Sequence, residues 1–150
     1  MSVHDLCCIG YITQDKIVTT KNTIYMPGGT SFYFAHAIKH LDPNGFLLVT
    51  SLAHTEMNVV EDIRKEGIEV KALPVPVPSA LKTYTEKTRT NVRNASRQRP
   101  TRSQWKACRT SMHGLSTWAA CLPTTFHLDV IKYLSGKGLL SVDVQGFLRQ

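Results

Sequence analysis

The sequence predicts an α/β fold in which parallel strands alternate with helices. Short apolar runs rich in β-branched residues have the length of buried strands, and longer segments repeat apolar residues every three or four positions. Apolar residues make up 42% of the 150 residues, which is enough for one packed core. No run of eighteen apolar residues is present, so the sequence predicts no membrane span.

Five predicted elements fill the first half of the chain in the order strand, helix, strand, helix, strand. In the first helix, Phe34, Ile38 and Leu41 recur at helical spacing, and Asp42-Pro43-Asn44-Gly45 ends it. Parallel strands need crossover connections of this length, so the order predicts βαβ units. The predicted strands cover 3–12, 46–50 and 68–73, and the predicted helices cover 31–41 and 56–66.

The beginning of the chain predicts a cytoplasmic protein. Residues 1–6 have no basic segment before their short apolar run, so they do not predict a signal peptide. Cys7 and Cys8 are adjacent in a predicted strand, where successive side chains face opposite ways. Reduced thiols in a cytoplasm are the simpler interpretation of these cysteines.

A pair of glycines joins a short extended run, 22–26, to the first predicted helix. Gly28 and Gly29 permit positive φ and let the backbone come close to another group. Thr30 and Ser31 are both favourable N-cap residues for the helix that follows. The junction is suited to bind a polar ligand or to hinge, and an ordinary strand-to-helix turn is the alternative.

Two carboxylates follow predicted strands. Asp15 lies just beyond the first strand, and Asp143 lies just beyond the last one, at 139–142. In an open parallel sheet, ligands bind at the carboxyl ends of the strands. A carboxylate there accepts hydrogen bonds from two adjacent hydroxyls, which favours a sugar or another polyol. Taken alone, Asp15 is more typical of a solvated turn residue.

Together these features resemble the N-terminal half of the PfkB or ribokinase-like family of carbohydrate kinases, over residues 5–81 and 126–150. The motifs that carry the resemblance are Ile9-Gly10 with Asp15 downstream, Pro27-Gly28-Gly29-Thr30-Ser31 opening a helix, the helix and strand of 58–70, and Ser141-Val142-Asp143-Val144-Gln145-Gly146-Phe147-Leu148-Arg149. The resemblance implies a truncated three-layer α/β/α sandwich, a partial ribokinase-like domain over 1–150. It also implies a small β lid at about 16–26.

The resemblance implies phosphoryl transfer from ATP, with Mg²⁺, to a hydroxyl of a sugar or nucleoside. The glycine pair would hinge the lid, and lids of the family often pair two subunits, which implies a homodimer. Many members carry an Asn shortly after the glycine pair, where this chain has Phe32-Tyr33-Phe34, so the acceptor is left open. The substrate-binding residues that the resemblance implies are Asp15, Gly28, Gly29, Thr30 and Asp143.

The catalytic base of the resembled family is an aspartate in a Gly-Ala-Gly-Asp motif, and this motif does not occur in the 150 residues. Asp143 lacks the glycine-rich lead and is not predicted to be that base. The resemblance therefore places the base and the ATP site beyond Gln150. We expect the chain alone to be an inactive fragment of such a kinase.

The segment 82–125 departs from the rest of the sequence. It holds nine Lys and Arg and one acidic residue, a net charge of +8, whereas the remainder has nine basic and ten acidic residues, a net charge of −1. No sustained strand or helix period runs through it. One interpretation is a basic insert that contacts nucleic acid, with Trp105 and Trp118 stacking on bases. This gives the alternative function, a small α/β binding protein.

Two further interpretations of the segment 82–125 remain open. A metal site from Cys108, His113 and Cys121 is weakened by irregular ligand spacing. An out-of-frame translation is favoured, because a one-base shift with suitable synonymous codons gives the missing periods. It predicts that 114–122 replaces a middle strand with a less apolar one. Marginal folding would follow, because native stability is only about 5–15 kcal/mol.

Overall fold

The computed structural model describes residues 4–41, 45–75, 81–85, 117–120 and 128–143. Strands and helices alternate in these ranges, which confirms the α/β class. The strands are β1 (Leu6–Ile9), β2 (Thr13–Val18), β3 (Thr23–Gly28), β4 (Phe46–Ala53), β5 (Glu69–Val75), β6 (Leu81–Thr85), β7 (Thr117–Ala120) and β8 (Leu139–Val142). The helices are α1 (Thr30–Lys39), α2 (Met57–Lys65) and α3 (Leu128–Ser135), and a 3₁₀ turn (His54–Glu56) precedes α2.

The main sheet has the strand order β5-β4-β1-β7-β8, and all its pairs are parallel. β4 is buried along its whole length, as predicted for 46–50, and it continues for three residues beyond the predicted end. β5 continues through Pro74, beyond the predicted end at residue 73. A proline is tolerated there because β5 is the edge strand of the described sheet.

Helices cover both faces of the main sheet. Leu48 and Leu52 of β4 belong to one buried cluster, to which α1 and α2 contribute. The alternate residues Leu47 and Val49 belong to a second cluster, to which α3 contributes Leu134. This alternation produces the predicted three-layer α/β/α arrangement. None of the helices in the described ranges has the length and apolarity needed to cross a membrane.

A second, three-stranded sheet, β3-β2-β6, corresponds to the predicted lid and is called the lid sheet below. β2 pairs with β3 in antiparallel and with β6 in parallel register. The sequence predicted only a hairpin of 16–19 and 22–26, and both strands extend further toward their base. The predicted first strand, 3–12, extends too far, because β1 ends at Ile9; Asp15, predicted to lie just beyond that strand, lies within β2.

Two described strands fall at or within the segment for which no regular structure was predicted. β6 begins at its edge, and β7 lies between β1 and β8, so its backbone occupies the place of the middle strand. A four-residue strand is too short to show a period in the sequence. The other residues of 82–125 are outside the described ranges, so the nucleic-acid, metal and reading-frame interpretations stay predictions.

The helix starts differ from the predicted caps. Gly29 is the N-cap of α1, and neither Thr30 nor Ser31 caps it with a side chain. Glu56, the first residue of the second predicted helix, is instead the N-cap of α2, because the 3₁₀ turn comes first. Gly67 follows the C-terminal end of α2 with φ of 86°, as its position predicts.

An ion pair joins the C-terminal ends of α1 and α2. The Lys39 ammonium donates to Glu66 Oε2 at 3.2 Å, and His36 Nε2 lies 3.4 Å from the other oxygen. The hydrogen bond from Lys39 holds the pKa of the Glu66 carboxyl below its ordinary value. This contact helps to fix the orientation of α1, whose first turn meets the lid sheet.

We expect Thr50→Val to stabilise the chain. Thr50 is 3% exposed in β4, and its hydroxyl has no hydrogen-bond partner in the part of the chain that the structure describes. A buried hydroxyl without a partner costs about 1–3 kcal/mol, so the isosteric valine should raise the free energy of unfolding by about 1 kcal/mol. Urea denaturation measures this change. Thr50→Ser, which keeps the hydroxyl and loses a methyl, should destabilise; a lower midpoint for Thr50→Val would contradict the assignment.

Candidate functional site

The candidate site lies where the lid sheet joins the main sheet. One connection is the short link 10–12 between β1 and β2, and the other is Gly29 between β3 and α1. The first connection leaves the carboxyl end of β1, and the second leads into α1. The carboxyl ends of the strands are where open parallel sheets bind ligands. The junction therefore lies at the end of the sheet where the sequence predicts a site, and its role in binding stays a prediction.

Asp15 is the buried carboxylate of this junction, with 6% of its surface exposed. It lies in β2 opposite Met26 of β3. The Thr13 hydroxyl donates a 2.9 Å hydrogen bond to Asp15 Oδ1, and both residues are buried. Since Thr13 and Asp15 are two positions apart, they share one face of the strand. The bond fixes one carboxylate oxygen in place.

The backbone of Gly28 packs directly against the Asp15 carboxylate. Gly28 is opposite Thr13 in register, so it is the diagonal neighbour of Asp15. A Cβ at residue 28 would lie 2.9 Å from Asp15 Oδ1 and 2.5 Å from its carboxyl carbon. These distances are shorter than van der Waals contact, so only glycine leaves room for the carboxylate. The predicted proximity of the glycine pair and Asp15 is thus observed.

Gly29 has a different structural role from Gly28. Its φ of 97° and ψ of 152° lie in a region that only glycine adopts readily. A Cβ there would lie 2.7 Å from the Tyr11 carbonyl oxygen and 3.3 Å from the Thr13 backbone nitrogen. Gly29 therefore allows β3 to turn into α1 while remaining close to the link that leads into β2.

The other two predicted site residues lie on other elements, one at the start of α1 and one after β8. Thr30 is exposed and is the first residue of α1. Asp143 directly follows β8, as predicted, and β7 separates β8 from β1 in the strand order. A substrate-binding role for either residue stays a prediction. The contacts of Thr13 and Ser31 were missed, although the i, i+2 spacing of Thr13 and Asp15 in a strand would have indicated a shared face.

Aliphatic side chains continue the face of the lid sheet that carries Asp15. Ile17 pairs with Ile24, and Met26 lies opposite Asp15, so all three share that face. Ile24 is 48% exposed. Lys16 lies on the opposite face, with its ammonium 5.7 Å from the centre of the Tyr25 ring. On β2 and β3, the face that carries Asp15 therefore offers carboxylate oxygens that can accept hydrogen bonds from hydroxyls. It also offers apolar surface, and these two strands place no cationic side chain on it.

No family model and no curated protein matches the sequence. Solved structures do match. A pyrophosphate-dependent kinase in the ribokinase family, complexed with a pyrophosphate analog and myo-inositol, aligns with a TM-score of 0.76 and 21% identity, over 96% of this chain and 50% of that one. Phosphofructokinase-2 from Escherichia coli, in complex with fructose-6-phosphate, aligns with a TM-score of 0.67 and 13% identity, over 96% of this chain and 56% of that one.

Ribokinase from Giardia lamblia aligns with a TM-score of 0.67 and 16% identity, over 94% of this chain and 50% of that one. The chain has the ribokinase-like fold, as its sequence motifs predicted. It spans about half the length of the solved structures that it matches.

Proposed function

We propose that this chain is the lid-bearing, acceptor-binding part of a carbohydrate kinase that phosphorylates a hydroxyl of a sugar or nucleoside. The observation that carries the proposal is the buried Asp15 carboxylate against the Gly28 backbone, at the junction of the lid sheet and the main sheet. The matched structures support it, because their described ligands include myo-inositol and fructose-6-phosphate.

Asp15 would bind the acceptor by accepting hydrogen bonds from adjacent hydroxyls. Thr13 already donates to Oδ1, so the carboxylate is oriented before the ligand arrives. Hydrogen bonds to an ionised carboxylate are stronger than neutral ones, and the buried setting strengthens them further. The glycine backbone lets a ring approach closely, and the aliphatic residues of the lid sheet would cover its apolar face. The result is a fixed acceptor hydroxyl, which favours transfer by proximity and orientation.

ATP and Mg²⁺ belong to the proposal through the family resemblance. Within the described residues, no group of three or more His, Cys, Asp or Glu side chains could hold a metal ion. We therefore assign none of these residues to the metal or to the phosphoryl donor. Because the 150 residues lack the Gly-Ala-Gly-Asp motif, we expect acceptor binding without phosphoryl transfer. A cytoplasmic location and pairing of two lid sheets in a homodimer complete the proposal.

Asp15→Asn tests the proposed site. The amide keeps the shape of the side chain and an oxygen that can accept from Thr13, but it removes the charge. Hydrogen bonds to charged groups contribute about 1.5–3 kcal/mol, so we expect polyol affinity to fall about 10- to 100-fold. Isothermal titration with myo-inositol, D-ribose and adenosine as probes measures the affinity.

The matched control for this titration is Asp62→Asn. Asp62 is an exposed carboxylate on α2 whose pair is Lys65, at 2.8 Å. This variant should bind as the unmodified chain does. Equal affinity of the Asp15→Asn variant and the unmodified chain, or no binding of any probe by the unmodified chain, would overturn the proposed function.

A further inference from the structure

We infer that Ser31 is a positioning residue of the candidate site, because its side chain fastens together the two connections between the lid sheet and the main sheet. Ser31 is 1% exposed, and its hydroxyl donates a 2.6 Å hydrogen bond to the Tyr11 carbonyl oxygen. The two residues are twenty positions apart in the sequence. The hydroxyl does not cap α1, which is the role that its sequence position suggested.

The Tyr11 carbonyl lies on the first connection. Just before it, the Gly10 backbone nitrogen donates to the Val49 carbonyl at 3.0 Å, which holds the end of β1 against β4. Just after it, Ile12 is 2% exposed and packs in the core cluster beneath α1 and α2. Thr13 then begins β2. The carbonyl that Ser31 contacts is therefore held by the main sheet on one side and leads into the lid sheet on the other.

The second connection meets the same oxygen atom. Gly29 packs so closely against the Tyr11 carbonyl that a Cβ would lie 2.7 Å from it. Ser31 follows two residues later in the first turn of α1 and supplies the hydrogen bond. The Tyr11 carbonyl oxygen thus contacts both the second connection's glycine, Gly29, and the hydroxyl of Ser31, which donates a hydrogen bond to it. Removing the hydroxyl would leave the close packing of Gly29 without the hydrogen bond from Ser31.

The position of the lid sheet, which carries Asp15 and Gly28, relative to α1 and the main sheet depends on this fastening. Asp15 is four residues beyond Tyr11, and Gly28 is three residues before Ser31. A change in the spacing of the two connections moves β2 and β3 relative to the main sheet and to α1. The effect of Ser31 on ligand binding rests on the proposed function, whereas its effect on the order of the lid sheet does not.

Ser31→Ala in the 150-residue chain tests the inference without a ligand. One hydrogen bond contributes enough to change a local opening equilibrium by about three- to tenfold. Hydrogen exchange followed by mass spectrometry should therefore show amides of 13–28 exchanging about three- to tenfold faster, with 46–53 unchanged. Ser31→Thr keeps the hydroxyl and should restore slow exchange. The matched control is Ser135→Ala, which removes the same kind of bond, Ser135 Oγ to the Lys132 carbonyl at 3.0 Å, on α3.

A titration with whichever of myo-inositol, D-ribose and adenosine the unmodified chain binds gives the second measurement. Ser31→Ala should weaken binding about three- to tenfold by the same loss of order. Ile63→Val, a core change on α2, controls for destabilisation and should leave affinity unchanged. Faster exchange with weaker binding supports the inference. Faster exchange in a chain that binds no probe supports the fastening and overturns the proposed function. Unchanged exchange of 13–28 overturns the inference, whatever the titration shows.

Discussion

Replacing Gly29 by alanine is expected to lower the free energy of unfolding by about 2–4 kcal/mol, which is a large part of a native stability of about 5–15 kcal/mol. Two causes add. The backbone at φ 97° and ψ 152° is strained for any residue with a Cβ. The new methyl group would also lie 2.7 Å from the Tyr11 carbonyl oxygen, a backbone atom that is held by its neighbours in the main sheet.

Gly67→Ala is the matched control for this prediction. Gly67 also has a positive φ, 86°, but a Cβ there would meet nothing within 4 Å. Gly67→Ala should therefore lower the free energy of unfolding through the positive φ alone, by about 1 kcal/mol. Urea denaturation followed by circular dichroism measures both variants. Equal losses for the two variants would mean that the close approach of Gly29 to Tyr11 contributes nothing to stability.

The sequence could predict the architecture because the deciding signals are local. The apolar run of β4 and the helical spacing of Val60 and Ile63 place residues on faces without knowledge of distant contacts. The glycine pair likewise indicates a junction where the backbone conformation or close packing leaves no room for a Cβ atom. These signals were sufficient for the parallel α/β arrangement, whereas the three layers and the lid were implied by the family resemblance.

The remaining features depend on contacts that no local pattern encodes. The Ser31 hydroxyl reaches a carbonyl twenty residues away, and a favourable cap residue in the first turn of a helix gives no sign of this. β7 has four residues and shows no period, so its place in the sheet is decided by pairing with β1 and β8. β2 begins at Thr13 because it pairs with Gly28, and that pairing places Asp15 inside a strand.

Gly28→Ala is expected to weaken polyol binding, and its cause differs from the one that makes Gly29→Ala destabilising. Gly28 is not among the described glycines with positive φ, so alanine suits its backbone. The obstacle is the Asp15 carboxylate, whose carbon would lie 2.5 Å from the new Cβ. Because Asp15 is buried and accepts from Thr13, moving its side chain away breaks this hydrogen bond or shifts β2 or β3. We expect a stability loss of about 1–3 kcal/mol, typical of overpacking, and affinity at least about 10-fold weaker.

A double-mutant cycle between positions 15 and 28 separates this contact from general damage. Asp15→Ala removes the carboxylate that the new methyl group would meet, so in that background Gly28→Ala should cost little. The two changes should couple by about 1–3 kcal/mol, as expected for residues in direct contact. Urea denaturation of the four chains measures the coupling, and the titration probes report binding. Additive losses would mean that Gly28 and Asp15 do not touch, and the pocket inferred from their contact would then have no basis.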